Sequence, residues 1–205
     1  MAEPRDRRAA DRVGGVSSPL PGSVGERDLT FRRLTESDLD LLHRWLNAPH
    51  VLEWWDRPGP TLDEVREKYL PRVTGPSDVV PYIICRDEMP IGYIQLYPVQ
   101  SGAWGLADVH GGAGLDLFIG DVRCLHGGLG PRILRQFLKE IAFRDESTDE
   151  CFIDPSPRNR IAIRVFEKAG FRYVAAAIDP DTGVEVRLMR ITRSDFEKRS
   201  PSAED

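Results

Sequence analysis

The run His126-Gly127-Gly128-Leu129-Gly130 constrains the fold of this chain more than any other feature. Glycines let the backbone turn sharply and let a ligand approach it closely. The segment before the run, Ala113 to Gly120, reads as a strand. Pro131 is placed as the first residue of a helix that continues to about Arg144. A helix starting at such a turn presents unpaired N–H groups, for which a pyrophosphate is the natural guest. The same spacing also serves a tight strand-to-helix connection with no ligand. It is not a Walker loop, because no Gly-Lys-Ser/Thr follows. Nor is it the dinucleotide fingerprint, because a hairpin precedes it where a βαβ repeat would be required.

The flanking elements follow from periodicity and punctuation. Leu29 to Leu34 alternates as a strand, and Thr35 begins a capping box with Asp38 in place of the usual Glu. Leu39, Leu42, Trp45 and Leu46 then sit at helical spacing, which predicts a helix to about Asn47. His50 to Pro60 reads as a loop carrying Trp54-Trp55. Thr61 caps a second helix from Leu62 to Tyr69, and Pro71 to Ser77 reads as a loop. Val79–Arg86 and Ile91–Tyr97 form a hairpin, followed by an irregular Gly-rich stretch, 98–112, around Trp104. Cys151 to Ile153 is a short strand broken by Asp154-Pro155-Ser156-Pro157. A helix from Arg158 to Ala169 stops at Gly170, and Arg172–Ile178 with Val184–Ile191 makes a last hairpin. The order predicts an α/β or α+β sandwich: one mixed sheet with helices on both faces. One domain spans 28–198, with a disordered leader over 1–27 and a polar tail over 199–205.

Net charge is −5, which argues against nucleic acid as a partner. No apolar run approaches bilayer length, and residues 1–27 lack the apolar core of a signal peptide. Cys85, Cys124 and Cys151 are an odd set without ligand or disulfide spacing, which fits reduced thiols in a cytoplasmic protein. The four histidines, His43, His50, His110 and His126, lack metal-ligand spacing, so no metal is expected.

Leu125-His126-Gly127-Gly128-Leu129-Gly130 resembles the acetyl-CoA pyrophosphate loop of the GCN5-related N-acetyltransferase (GNAT) family, Gln/Arg-x-x-Gly-x-Gly/Ala. Gly128 and Gly130 fill the glycine positions, and Leu125 departs from the first. Asn159-Arg160-Ile161-Ala162 and Phe166-Glu167-Lys168-Ala169-Gly170-Phe171 resemble the helix that lies beside the pantetheine arm. Trp45-Leu46-Asn47, Glu53-Trp54-Trp55, Pro60-Thr61-Leu62, Tyr69-Leu70-Pro71, Pro90-Ile91-Gly92-Tyr93 with Gln95, Gly114-Leu115-Asp116 and Asp154-Pro155-Ser156-Pro157 together resemble the aminoglycoside 6′-N-acetyltransferases.

That resemblance implies a mostly antiparallel GNAT sheet, acetyl-CoA as co-substrate, and direct acetyl transfer to the 6′-amine of an aminoglycoside, conferring resistance. It implies Asp116 as the catalytic carboxylate, acting as a base, through water, or by holding the cation. Phe118 and Ile119 stand where a splayed strand would free a backbone N–H, around Phe118 to Gly120, to polarise the thioester carbonyl. Coenzyme A would contact Leu125, His126, Gly127, Gly128, Leu129, Gly130, Pro131, Asn159, Phe166 and Lys168. Phe166 departs from a tyrosine found in resembling enzymes, so no side-chain acid is expected there. A polycation with apolar sugar faces wants carboxylates and aromatic walls. Trp54, Trp55, Tyr69, Gln95, Trp104, Asp116 and Asp154 are the candidates. Asp154 either holds an amine or caps the helix after it. Ser101 departs from an acidic residue, for which Asp108 is a substitute. A monomer or weak homodimer is expected. The rival enzyme is a siderophore or lysine-type N-acyltransferase, which would want basic residues for a substrate carboxylate. The rival of another class is a non-catalytic CoA- or drug-binding module.

Overall fold

The computed structural model describes residues 29–55, 58–179 and 182–199. The leader expected over 1–27 and the tail after Arg199 lie outside them. Seven strands form one sheet: β1 (Leu29–Arg33), β2 (Val80–Arg86), β3 (Met89–Val99), β4 (Gly112–Ile119), β5 (Glu150–Ile153), β6 (Arg172–Ile178) and β7 (Glu185–Thr192). Their order is β1-β2-β3-β4-β5-β7-β6, antiparallel throughout except for the parallel pair β4–β5. The helices are α1 (Leu39–Leu46), α2 (Pro49–Leu52), α3 (Leu62–Thr74), α4 (Leu129–Glu140), α5 (Arg160–Ala169) and α6 (Arg193–Arg199). The mixed, mostly antiparallel sheet with helices on both faces is the one read from the sequence.

Strand alternation sorts the core into two layers. Tyr82, Ile84, Ile94, Leu115 and Ile153 pack against α4 and α5 through Ile133, Phe137 and Phe166. Ile83, Cys85 and Tyr93 face the other way, onto Leu42, Trp45, Leu46, Val65 and Tyr69 of α1 and α3. Phe137 anchors the first layer edge-on to Phe31 and Tyr82, with ring centroids 5.1 and 5.4 Å apart.

Local chemistry fixes the elements where expected. Asp38 accepts the Thr35 N–H at 2.9 Å and holds Arg32 through two bonds of 2.6 and 2.7 Å, so Asp does work in this box that Glu usually does. Thr61 and Glu64 cap α3 reciprocally, at 2.6 and 3.3 Å. Asp87 and Glu88, at φ 50° and 65°, make the tight turn between β2 and β3.

Several elements differ from the sequence reading: α2 takes His50 to Leu52 out of the expected loop, and α4 ends at Glu140, short of Arg144. α3 continues through Pro71 to Thr74. Pro71 falls near the helix end, where its missing N–H costs one bond, while Val65 and Tyr69 upstream clamp the helix to the sheet. The residues after β7, to which the sequence reading gave no element, form α6, held by Phe196 against Phe143 at 5.4 Å. α4 starts at Leu129, two residues before Pro131, because Gly128 at φ 70° caps it.

β4 ends against α1 in a close contact. A Cβ on Gly120 would fall inside the Trp45 indole. Gly120→Ala should therefore destabilise the domain by about 1–3 kcal/mol, the usual range for overpacking. Thermal denaturation should show the midpoint falling by about 2–4 °C per kcal/mol.

Candidate functional site

β4 and β5 pair at only two positions, Ala113 with Cys151 and Gly114 with Phe152. Beyond them β4 stays bonded to β3, whereas β5 ends at Ile153. Pro155 and Pro157 have no N–H to give a ladder, and the Pro155 carbonyl instead accepts from Arg187 of β7 at 2.8 Å. The strands thus part at Leu115, well before the Phe118–Gly120 expected. Gly120 is not free either, since it donates to the Ile91 carbonyl at 2.9 Å. By alternation, the amides of Leu117 and Ile119 are the ones turned to the side β5 has left. The Ile119 carbonyl takes the His50 ring at 3.0 Å; a carbonyl only accepts, so His50 carries its proton on Nε2.

The parting opens a cleft of ≈ 160 Å³ lined by Trp54, Trp55, Asp116, Leu117, Ile153, Asp154, Pro155, Ser156, Asn159, Ala162 and Phe166. Six of the expected site residues therefore meet here: Trp54, Trp55, Asp116, Asp154, Asn159 and Phe166. Trp55 is the structural member of its pair, edge-on to Phe118 at 4.9 Å and Tyr93 at 6.2 Å. Trp54 is 42% exposed and forms the open wall. Asn159 caps α5 by accepting the Ala162 N–H at 3.0 Å. Asp154 is thereby relieved of the capping role.

Asp116 is embedded in a polar network. Its Oδ2 accepts from Gln95 Nε2 at 2.7 Å, while Gln95 Oε1 accepts from Arg72 at 2.9 Å and from the Tyr93 hydroxyl at 2.7 Å. Burial pushes the Asp116 carboxyl above the usual carboxylate range. The Gln95 N–H opposes this, as do Arg72 and the Tyr97 hydroxyl, and Asp179 adds to it. Asp154 accepts the Trp104 indole N–H at 3.0 Å. Burial first, then the neighbouring Asp116 charge, pushes Asp154 up to about 7; Trp104 pulls it back and Asp179 adds to the rise. Three carboxylates thus sense one another, with Arg72 acting against them at Asp116.

The remaining expected residues are distributed as follows. Leu125 to Pro131 form the turn and first residues at the α4 start. His126 takes a left-handed φ of 59°, and a side chain on Gly127 or Gly128 would meet nothing within 4 Å, so the backbone there is open to approach. Gly130 is different, packed against Val165 of α5. The Phe118 ring turns away from the α4 side and stacks on Tyr93 at 5.5 Å. Gln95, 9% exposed, stands behind Asp116 instead of lining the cleft. Tyr69 does not line it: at 1% exposure it is core, edge-on to Tyr93 at 5.8 Å, because helical spacing from Val65 points it into the sheet. Lys168 is on another surface, beside Arg135, Phe196 and Arg199. Trp104 is less isolated than its loop suggests, packing on Phe152 at 5.7 Å. Arg123 is paired with Asp121 at 2.7 Å. Ser101 bonds the Val109 carbonyl at 3.4 Å, and Asp108 is exposed. Among the described residues no cluster suits a metal ion.

Tyr97, Asp179, His50 and Arg72 were missed. Tyr97 shares the face of Tyr93 and Gln95 at strand spacing, which could have found it; its ring covers Gly114. Asp179 looked like turn chemistry, and it does accept the Thr182 N–H at 2.7 Å.

Residues 35–178 match the acetyltransferase (GNAT) domain. The aminoglycoside N(6′)-acetyltransferase type 1 of Klebsiella pneumoniae is 39% identical over 175 residues, 83% of this chain and 86% of that one. The crystal structure of aminoglycoside acetyltransferase AAC(6′)-Ib with coenzyme A and kanamycin has 38% identity and a TM-score of 0.71, covering 84% of this chain and 99% of that chain. The lysine N-acyltransferase MbtK of Mycolicibacterium paratuberculosis is 26% identical over 180 residues, 83% of this chain and 77% of that one.

The raised Asp154 carboxyl carries a stability signature. Its folded value lies above its unfolded one, so the folded state holds the extra proton between roughly pH 4 and about 7. The stability it contributes is complete below that window and is lost as pH rises through about 7. Asp154→Asn, which cannot ionise, should gain on the wild type by a few degrees at pH 8 and by less at pH 5 in paired thermal melts, at about 2–4 °C per kcal/mol. An unchanged difference at both pH values would contradict this reading.

Proposed function

The chain belongs to the GNAT acetyltransferase family, and on that premise we propose that it transfers the acetyl group of acetyl-CoA to an amine of an aminoglycoside, the 6′-amine by its likeness to the Klebsiella enzyme. Resistance to such an antibiotic would follow. The observation that carries the reading is the cleft itself: two carboxylates, Asp116 and Asp154, face it from one side, and the first turn of α5 faces it from the other.

Each half suits one reactant. The α4 start offers helix N–H groups behind an open Gly127-Gly128 backbone, a cradle for the diphosphate of coenzyme A. Leu125 to Pro131, Asn159 and Phe166 are the residues assigned to it. Lys168 is withdrawn from that set. The acceptor half has carboxylates for ammonium groups and Trp54 and Trp55 as walls for sugar faces. The cleft, ≈ 160 Å³, is open to solvent on the Trp54 side, so the reacting amine enters it and the other rings lie toward the mouth.

The co-substrate supplies the thioester. The protein's tasks are to take a proton from the amine, steady the carbonyl oxygen and tolerate a leaving sulfur. Asp116 receives the proton directly or through water, or holds the ammonium until water does. The amides of Leu117 and Ile119 are the donors for the oxygen. The amine nitrogen bonds to the acyl carbon as the carbon–sulfur bond breaks. Phe166 has no proton to give, so the sulfur leaves as thiolate or takes its proton from water, which its ordinary value of about 8.5 permits. The acceptor is a small polycation, and neither nucleic acid nor a membrane is needed.

The lysine-type acyltransferases are the competing reading. Their acceptors would need a cation for a carboxylate group, whereas among the described residues the cleft lining contributes carboxylates and no arginine or lysine. Thiol release from acetyl-CoA should occur with kanamycin and not with lysine; the reverse pattern overturns the assignment. Asp116→Asn should cut kcat by about 10²–10⁴ with acetyl-CoA affinity nearly unchanged. Gly128→Val should do the opposite, raising the acetyl-CoA KM by about tenfold or more, because a branched side chain at φ 70° forces the cradle to rearrange. A wild-type rate for Asp116→Asn removes it from the mechanism.

A further inference from the structure

We propose that Arg72, near the end of α3, is a positioning residue for Asp116, acting through the Gln95 carboxamide: it fixes which way that amide faces, and so guarantees that Asp116 meets an N–H.

The argument rests on which groups can donate and accept. A carboxamide can flip, exchanging its oxygen for its NH₂ group. In the fold described, Gln95 Oε1 faces Arg72 Nη1 at 2.9 Å and the Tyr93 hydroxyl at 2.7 Å, and Gln95 Nε2 faces Asp116 Oδ2 at 2.7 Å. The tyrosine cannot enforce this choice, because a hydroxyl both donates and accepts; it would serve a flipped amide equally well. A guanidinium only donates, so it tolerates the oxygen alone. A flipped Gln95 would also turn its oxygen onto a carboxylate. An ionised Asp116 asks for the same orientation, and Arg72 holds it also when Asp116 carries a proton; Arg72 is itself seated over the Tyr69 ring at 5.0 Å.

The same cation has an electrostatic duty. Asp116 is faced by Gln95, Tyr93 and Tyr97 from β3, by Arg72 on α3, by Asp154 after β5 and by Asp179 after β6. Asp179 raises its proton affinity, and Arg72 and the Gln95 N–H lower it. Without Arg72 the carboxylates would hold a proton among them further up the pH scale, and the amine would meet one negative charge fewer. This inference rests on the acetyl-transfer reading for its kinetic consequence only; the polarity argument stands on the geometry.

Arg72→Met keeps an aliphatic stem on Tyr69 and removes both donors and charge. Assayed with acetyl-CoA and kanamycin, the variant should lose about tenfold in kcat/KM at pH 6 and under about threefold at pH 8.5, as an upward shift of the acid limb requires. The acetyl-CoA KM should not move. Arg72→Lys, which also only donates, should recover part of the loss. In a Gln95→Leu background the Arg72→Met change should cost less than it does alone, since the route through the amide is already gone and only the charge still acts. A uniform loss across pH, or full additivity in that double variant, overturns the proposal. Carbon-13 NMR titration of labelled aspartates in substrate-free protein separates this from the activity assignment. Asp116 should titrate higher in Arg72→Met than in wild type whether or not kanamycin is the acceptor, and an identical curve also overturns the proposal.

Discussion

The structure depends on the early divorce of two parallel strands. β4 and β5 share two residue pairs and then separate, because β5 runs into Asp154-Pro155-Ser156-Pro157 and its backbone turns toward β7. A proline cannot donate to a ladder, so the sequence ends the pairing at a defined point. Buried backbone groups left unpaired cost free energy unless something else bonds them. By alternation the amides of Leu117 and Ile119 face the abandoned side, which is where an incoming oxygen would meet them. Asp116, Asp154 and the start of α5 border that gap.

β4 serves both faces of the sheet by simple alternation. Leu115 belongs to the layer under α4 and α5, while Phe118 packs with Trp55 and Tyr93 under α1 and α3. Asp116 shares the side of Phe118 and Gln95, so its carboxylate is delivered to the acceptor half of the cleft while the neighbouring amides face the gap. A shift of one residue in the β3–β4 register, which pairs Gln95 with Asp116, would exchange the two roles. The pairing of Gly114 with Tyr97 guards that register, since the Tyr97 ring lies where any larger residue at 114 would sit.

Much of this was legible in the residues. The order of elements, the capping boxes and the glycine turn before α4 follow from local patterns, which physical chemistry imposes within a few residues, whereas the acid side chain on β4 was singled out by the family resemblance. What escaped reading depends on distant contacts. Pro71 looked like a helix end because the clamp of Val65 and Tyr69 on the sheet is invisible along the chain. Tyr69 looked like a ligand wall for the same reason. Trp104 looked unsupported because Phe152, its packing partner, is distant in sequence. Arg72 carried no signal at all, since a lone arginine in what reads as a loop after Pro71 gives no hint of a buried amide opposite it. α6 was hidden by its charge, with Phe196 as the one apolar anchor.

The cleft is electrostatically strained in a way that suits its proposed guest. Asp116, Asp154 and Asp179 repel one another in surroundings that solvate charge poorly, and the pair facing the cleft titrates upward as a result. A cation entering between them removes that repulsion and favours their ionised forms, so binding and deprotonation reinforce each other. Single positive charges gain part of this; an acceptor with several amines spaced around rigid rings gains it at each carboxylate. The same logic penalises an acceptor bearing its own carboxylate, which would add to the repulsion instead of relieving it. Discrimination between polyamine-like and amino-acid-like acceptors is therefore already present in the charge layout, before any shape complementarity is considered. Trp104 and Arg72 limit how far the strain goes: one donates to Asp154, and the other, through Gln95, keeps a donor on Asp116. With those donors removed, protonation would be the easier way to relieve the crowding, and the affinity for cations would fall with it.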